Sequence, residues 1–189
     1  DEAPAILAGD ALQARAFEVL AEPDTHSNAE ARVELVAALG HAVGARGMCG
    51  GQMIDMLGNN QAWTAEAIAR MQALKTGRLI QFSAEAGAIM GRAPLHQRHL
   101  LAAYGRDVGA AFQIADDVLD VTATGAELGK TAGKDVAQGK ATLVSVWGID
   151  RARAQAELLA VQAAGHLEGF GAEARLLRDL AGFVVSRRS

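Results

Sequence analysis

The sequence is poor in cysteine and in aromatic residues, and it contains no long uninterrupted apolar run. The single cysteine, Cys49, rules out a disulfide bond within the chain and is compatible with a reducing compartment. No apolar stretch approaches the roughly 20 residues that a helix needs to cross a bilayer. The net charge of -4 argues against non-specific binding to nucleic acid. We therefore expect a soluble, cytoplasmic protein with no membrane span and no nucleic-acid partner.

The apolar residues that are present favour packed helices. Half of the residues are hydrophobic, but only two tryptophans, one tyrosine and five phenylalanines are aromatic. Ala, Leu and Val supply the apolar character, which suits a helix bundle better than a β sandwich. No segment shows the alternation of a half-buried strand. A length of 189 residues fits one domain, residues 1–189, so the sequence predicts a single all-α domain.

The helix boundaries can be predicted from capping residues. Asn28 or Ser27 could cap a second helix, and Thr64 could cap a long helix that Gly91 closes. The segment 44–58 contains Gly47, Gly50 and Gly51, which weaken a helix unless another backbone or a ligand approaches closely. The remaining predicted helices cover residues 4–20, 95–122, 150–162 and 173–186, with a glycine-rich loop over 122–142.

The stretch 112–120, with the sequence Phe-Gln-Ile-Ala-Asp-Asp-Val-Leu-Asp, carries the clearest chemistry. On a helix Asp116 and Asp120 lie one above the other, and Asp117 is turned about 100° away. Like charges at this spacing repel, and burying unpaired carboxylates costs more. Mg²⁺ is usually held by one or two carboxylates plus substrate phosphates. We therefore predict a magnesium site, because the apolar neighbours disfavour the alternative of a solvated acidic face.

Basic residues elsewhere could bind a phosphate. Lys75 could reach a phosphate and Thr76 could donate to it, although a solvated lysine on a helix face is the common alternative. The loop 122–142 carries Lys130, Lys134 and Lys140, but its spacing is not that of a P-loop. Such a loop could close over a metal-bound polyanion, with Lys130 and Lys140 as point cations. The alternative is a mobile solubilising loop.

Four ordered segments, residues 50–55, 75–77, 112–120 and 128–130, resemble the motifs of the trans-prenyl diphosphate synthases. The likeness is greatest to the bacterial farnesyl diphosphate synthases, or geranyltranstransferases, and covers essentially the whole chain. It implies a bundle of long antiparallel helices around a central cavity, the isoprenoid synthase fold, usually in a homodimer. It also implies Mg²⁺-dependent condensation of an allylic diphosphate with isopentenyl diphosphate to give farnesyl diphosphate.

The resemblance also assigns roles to individual residues. The side chains that would bind metal are Asp116, Asp117, Asp120 and Asp135. Those that would contact substrate are Gln52, Lys75, Thr76, Gln113, Lys130 and Lys140. Those that would act in catalysis are Asp116, Asp117, Lys75 and Lys130.

The sequence departs from the family in one large respect. Its only Asp-Asp pair is Asp116-Asp117, whereas the family has a first aspartate-rich motif upstream of the segment that resembles residues 5–10. We therefore expect a C-terminal portion of a synthase without the N-terminal helices, inactive on its own. The alternatives are a geranylgeranyl diphosphate synthase and a non-catalytic subunit. A third, a terpene cyclase, is disfavoured because its second metal motif usually mixes Asn, Ser and Glu.

Overall fold

The computed structural model describes residues 1–58, 63–122 and 142–187, and every regular element in these ranges is helical. The all-α prediction is confirmed. In chain order the elements are α1 Glu2–Ala21, α2 Ala29–Val43, α3 Met48–Leu57, α4 Ala65–Gln72, a π-helical turn Ala73–Gly77, α5 Arg78–Met90, α6 Leu95–Thr122, α7 Leu143–Trp147, α8 Ile149–Gly165, a 3₁₀-helix Glu168–Ala174, and α9 Arg175–Ser186.

The helix ends at Asn28, Thr64 and Gly91 follow the predicted caps, and one further helix was not predicted. The Asn28 side chain accepts from the Ala31 amide at 3.0 Å, and Thr64 accepts from the Ala67 amide at 3.3 Å. Gly91 ends α5. The sequence did not predict α7, because five residues are too few to show a helical period. Thr142 caps α7 reciprocally with a serine three residues later, where the usual capping box has Glu or Gln.

The long helix predicted after Thr64 is continuous but not regular. A π-helical turn, Ala73–Gly77, separates α4 from α5 and contains both Lys75 and Thr76. Such turns are rare and occur frequently at functional sites, since they change the direction in which side chains leave the helix. The irregularity therefore lies at the residues predicted to bind phosphate.

Helix α6 is the centre of the bundle, with α5 and α8 packed along it and α9 packed on α8. One buried cluster joins Tyr104 and Val108 of α6 to Leu167. A second cluster joins Ile114 and Val118 of α6 to side chains of α4 and α7. The middle and the C-terminal part of α6 are thus anchored, and the aspartates near its C-terminal end lie on a fixed support.

Helix α1 buries none of its residues. Ile6 and Leu7 are exposed, whereas Phe17 is half-buried and lies 3.9 Å from the position of a Cβ on Gly40. No helix within the described ranges is both long enough and apolar enough to span a membrane.

Candidate active site

Asp117 is buried, with only 3% of its surface exposed, and it joins two helices. Its Oδ2 accepts a hydrogen bond from Gln72 Nε2 of α4 at 2.7 Å, and its Oδ1 accepts one from Gln113 Nε2 of α6 at 3.1 Å. A buried carboxylate is stable when such donors replace water. The Asp117 carboxylate therefore holds α4 against α6. Its predicted roles in metal binding and catalysis stay predictions.

Gln113 extends this contact into a chain of hydrogen bonds. Its Oε1 accepts from the Thr76 hydroxyl at 2.9 Å, while its amide donates to Asp117. We call this chain of hydrogen bonds, which runs from Thr76 through Gln113 and Asp117 to Gln72, the amide network. It connects the π-helical turn to the acidic end of α6. Every member has its position fixed by the next, so the network pre-arranges this part of the site.

Lys75 lies beside the amide network and pairs with a residue of α3. Its Nζ is 2.6 Å from Asp55 Oδ2, and both side chains are partly exposed. The pair orients the ammonium group without covering it, so an incoming phosphate could still reach it. Gln52, predicted to bind substrate, is exposed one helical turn before Asp55.

The close packing behind Lys75 depends on Gly51. A Cβ on Gly51 would lie 2.3 Å from the Lys75 backbone nitrogen and 2.6 Å from its Cα. No real Cβ contact is that short, so only glycine allows α3 to approach the π-helical turn so closely. The expectation that a glycine in this segment marks a close backbone approach is confirmed.

Asp116 and Asp120 occupy successive turns of α6, away from the buried side of Asp117. Asp116 is exposed, and its Oδ1 accepts from Arg187 Nη2 at 3.0 Å. The Arg187 guanidinium also stacks on Phe112, 4.4 Å from the ring centroid. Asp120 is half-buried. Of these two carboxylates, Asp116 is the one exposed to solvent.

Some predicted residues cannot be placed. Lys130, Lys140 and Asp135 lie outside the described residues, so the basic-loop hypothesis stays a prediction. Within the described ranges, no group of three or more His, Cys, Asp or Glu side chains is close enough together to hold a metal ion. The magnesium site therefore stays a prediction.

Two residues of this region, Gln72 and Arg187, were not predicted as site residues. Gln72 follows Ile68 by four positions, so it falls on the apolar face of α4, and a glutamine on such a face signals a buried polar contact. Arg187 comes just after α9, and no pattern in the sequence brings it to Asp116, 71 residues earlier. Only the packing of α9 against α6 and α8 does so.

Known proteins resemble this chain along most of its length. The family model described as Polyprenyl synthetase matches residues 1–168. The geranylgeranyl diphosphate synthase of Cyanophora paradoxa is 38% identical over 186 residues, covering 98% of this chain and 62% of that protein. The farnesyl diphosphate synthase of Escherichia coli (strain K12) is 36% identical over 194 aligned positions, covering 98% and 64%.

Solved structures agree with the sequence comparison. The crystal structure of an FPP/GFPP synthase from Zymomonas mobilis has a TM-score of 0.85 and 45% identity, covering 97% of this chain and 61% of its own. The chain therefore belongs to the polyprenyl synthetase family, and the predicted resemblance to the trans-prenyl diphosphate synthases is confirmed. It spans about three-fifths of the length of these relatives.

Proposed function

We propose that the protein containing this chain is a prenyl diphosphate synthase that joins an allylic diphosphate to isopentenyl diphosphate. The observation that carries the proposal is the amide network, which fixes Thr76, next to Lys75, at the acidic end of α6. Cation and hydroxyl donors suit a diphosphate, and carboxylates suit the metal that accompanies it. Homodimerisation and a cytoplasmic location are part of the same proposal.

We propose farnesyl diphosphate as the product. The farnesyl synthase of Escherichia coli and the FPP/GFPP synthase of Zymomonas mobilis support this choice. The synthase of Cyanophora paradoxa, named for geranylgeranyl diphosphate, favours the longer product as the second candidate.

We propose Mg²⁺ as the cofactor. The donor set fits, since Asp116 and Asp120 offer hard oxygen ligands on successive turns of α6, and Mg²⁺ commonly takes one or two carboxylates together with substrate phosphates. A related crystal structure, the geranyltransferase of Helicobacter pylori, is described as complexed with magnesium and isoprenyl diphosphate. When bound, the ion would neutralise charge that develops on a leaving diphosphate. Asp135 is proposed as a further ligand, and Asp117 as one that would first have to leave its two amide donors.

The remaining roles fall to side chains of this chain. The Lys75 ammonium, held by Asp55, would bind a diphosphate oxygen and stabilise the negative charge that grows as the carbon–oxygen bond breaks. The Thr76 hydroxyl, now donating to Gln113, would redirect its hydrogen bond to the same group. Lys130 and Lys140 would add two further cations. The sequence holds one Asp-Asp pair, so we propose that these 189 residues alone complete no turnover.

The test is a product assay on the protein expressed from its whole gene. We expect labelled isopentenyl diphosphate and geranyl diphosphate, with Mg²⁺, to give labelled farnesyl diphosphate. An exposed control, Asp10→Ala on α1, should make the same product at the same rate. Geranylgeranyl diphosphate as the main product would replace the product assignment. No labelled prenyl product from any allylic diphosphate would overturn the function.

A further inference from the structure

Arg187 comes directly after α9 and is fixed to that helix. Its backbone amide donates to the Phe183 carbonyl at 3.0 Å, as the last hydrogen bond of the helical ladder. Val184 of α9 is buried in the same apolar cluster as Val108 of α6. The end of α9 therefore has a defined position relative to the helix that carries the acidic motif.

The Arg187 side chain is held by residues of α6. Its Nη2 donates to Asp116 Oδ1 at 3.0 Å, and its guanidinium lies 4.4 Å from the centroid of the Phe112 ring. Only 16% of the side chain is exposed, so this is not one of the mobile surface pairs that contribute little to a structure. Arg187 Nε is buried and has no acceptor among the described residues. The contacts with Asp116 and Phe112 therefore set the position of the guanidinium.

This contact orders one oxygen of Asp116 and leaves the other available. Asp116 is exposed, so its carboxylate would rotate freely without a partner. Arg187 holds Oδ1, and Oδ2 accepts no hydrogen bond from the part of the chain that the structure describes. The neighbouring Asp117 is ordered separately, by Gln72 and Gln113. Side chains that orient a metal ligand by hydrogen bonding contribute about 10–100-fold to metal affinity.

We propose that Arg187 is a positioning residue for the Asp116 carboxylate, which it holds by Oδ1 so that Oδ2 can bind the Mg²⁺ that accompanies a diphosphate. Arg187 itself contacts neither the ion nor the substrate. A guanidinium suits this role better than an ammonium, because it is planar, stacks on an aromatic ring and still donates from its edge. The proposal rests on the proposed function, since it needs a metal ion at Asp116.

The experiment measures the affinity of inorganic pyrophosphate by calorimetry, with and without Mg²⁺, on the protein expressed from its whole gene. Arg187→Gln should weaken binding about tenfold or more with Mg²⁺ and should leave binding without the metal unchanged. Arg187→Lys keeps the charge but not the stacked, planar donor, so it should also bind more weakly than the wild type. Arg175→Gln removes the same charge from the exposed start of α9 and should have no effect.

A double-mutant cycle shows whether Arg187 acts through Asp116. Asp116→Asn alone should weaken the Mg²⁺-dependent binding of pyrophosphate. Adding Arg187→Gln to it should cause little further loss, because no carboxylate is left to position. Equal losses from Arg187→Gln in both backgrounds would show that the arginine contacts the polyanion directly, and would overturn the proposal. Unchanged or tighter binding in Arg187→Gln, or wild-type affinity in Arg187→Lys, would overturn it as well.

The product assay separates this result from the proposed function. If the whole protein makes a prenyl product and Asp116→Asn weakens pyrophosphate binding, but Arg187→Gln does not, only the role of Arg187 fails. If no prenyl product forms, the proposed function fails, while the pyrophosphate titrations still decide whether Arg187 acts on Asp116.

Discussion

Gln72 Nε2 lies 2.7 Å from Asp117 Oδ2, and both side chains are buried. The contact spans 45 residues and joins α4 to α6 at the end of the helix that carries the acidic motif. One aspartate of the motif, Asp117, is therefore a buried anchor, whereas Asp116 is exposed and Asp120 is half-buried. The three carboxylates share a sequence motif but have different surroundings.

Replacing Gln72 by leucine should destabilise the protein. Leucine keeps the approximate volume but removes a donor from a buried carboxylate, and leaving such a group short of a partner costs about 1–3 kcal/mol. Urea unfolding followed by circular dichroism gives the free energy of unfolding. Gln162→Leu, on the exposed face of α8, should change it little. Equal stability of Gln72→Leu and the wild type would contradict the anchor role of Asp117.

Replacing Asp116 by alanine should lower turnover at least about a hundredfold, because the carboxylate is proposed to hold the ion that stabilises the leaving diphosphate. Stability should change little, since the pair with Arg187 includes an exposed carboxylate. Steady-state kinetics at saturating Mg²⁺ on the whole-gene protein would measure the effect. Asp179→Ala, an exposed aspartate of α9, is the control. Near wild-type turnover in Asp116→Ala would remove the metal assignment.

The sequence predicted most of the helices and the caps at Asn28, Thr64 and Gly91, because these depend on near neighbours in the chain, but it missed the five-residue α7. The resemblance to the trans-prenyl diphosphate synthases grouped Lys75, Thr76 and Gln113 as substrate contacts, and the structure shows a hydrogen bond from Thr76 to Gln113. Gln72 was missed because its partner is 45 residues away, and Arg187 because its partner is 71 residues away. Contacts of that kind depend on how helices pack, which no local pattern encodes.

The basic loop can be tested through inorganic pyrophosphate. Lys140→Ala should weaken its binding in the presence of Mg²⁺ by about 1–3 kcal/mol, the range for hydrogen bonds to charged groups. Lys134→Ala removes a charge from the same segment and serves as the control, since the resemblance assigns Lys134 no contact with substrate. Calorimetry on the whole-gene protein gives both affinities. Equal effects of the two substitutions would indicate general electrostatics, and no effect of either would leave the loop without a role in binding.

Gly51→Ala should displace the segment that carries Lys75. The added Cβ would meet backbone atoms of Lys75 at 2.3 and 2.6 Å, and backbone cannot move aside as a flexible side chain can. We expect lower stability and weaker pyrophosphate binding together. Gly182→Ala on α9 meets nothing within 4 Å and should stabilise the helix by up to about 1 kcal/mol. A neutral Gly51→Ala would show that α3 and the π-helical turn can separate without consequence.

The phenol of Tyr104 predicts how stability changes at high pH. Tyr104 is the only tyrosine of the chain, its hydroxyl donates to the Leu177 carbonyl at 2.7 Å, and burial raises its pKa above the ordinary 10.0. Because the folded protein holds the neutral phenol more strongly than the unfolded chain does, the associated stability is complete below the unfolded pKa. It is lost as the pH rises through the folded pKa.

We therefore expect the free energy of unfolding to fall at alkaline pH, and Tyr104→Phe should remove part of that fall. Near neutral pH the same variant should be less stable by about 0.5–1.5 kcal/mol, because the hydrogen bond from Tyr104 to the Leu177 carbonyl is lost. Tyrosinate absorbance of the 189-residue chain reports the titration directly, since no other tyrosine contributes. Titration of Tyr104 at or below its ordinary pKa, or an identical alkaline profile in Tyr104→Phe, would show that the phenol is not held neutral between α6 and α9.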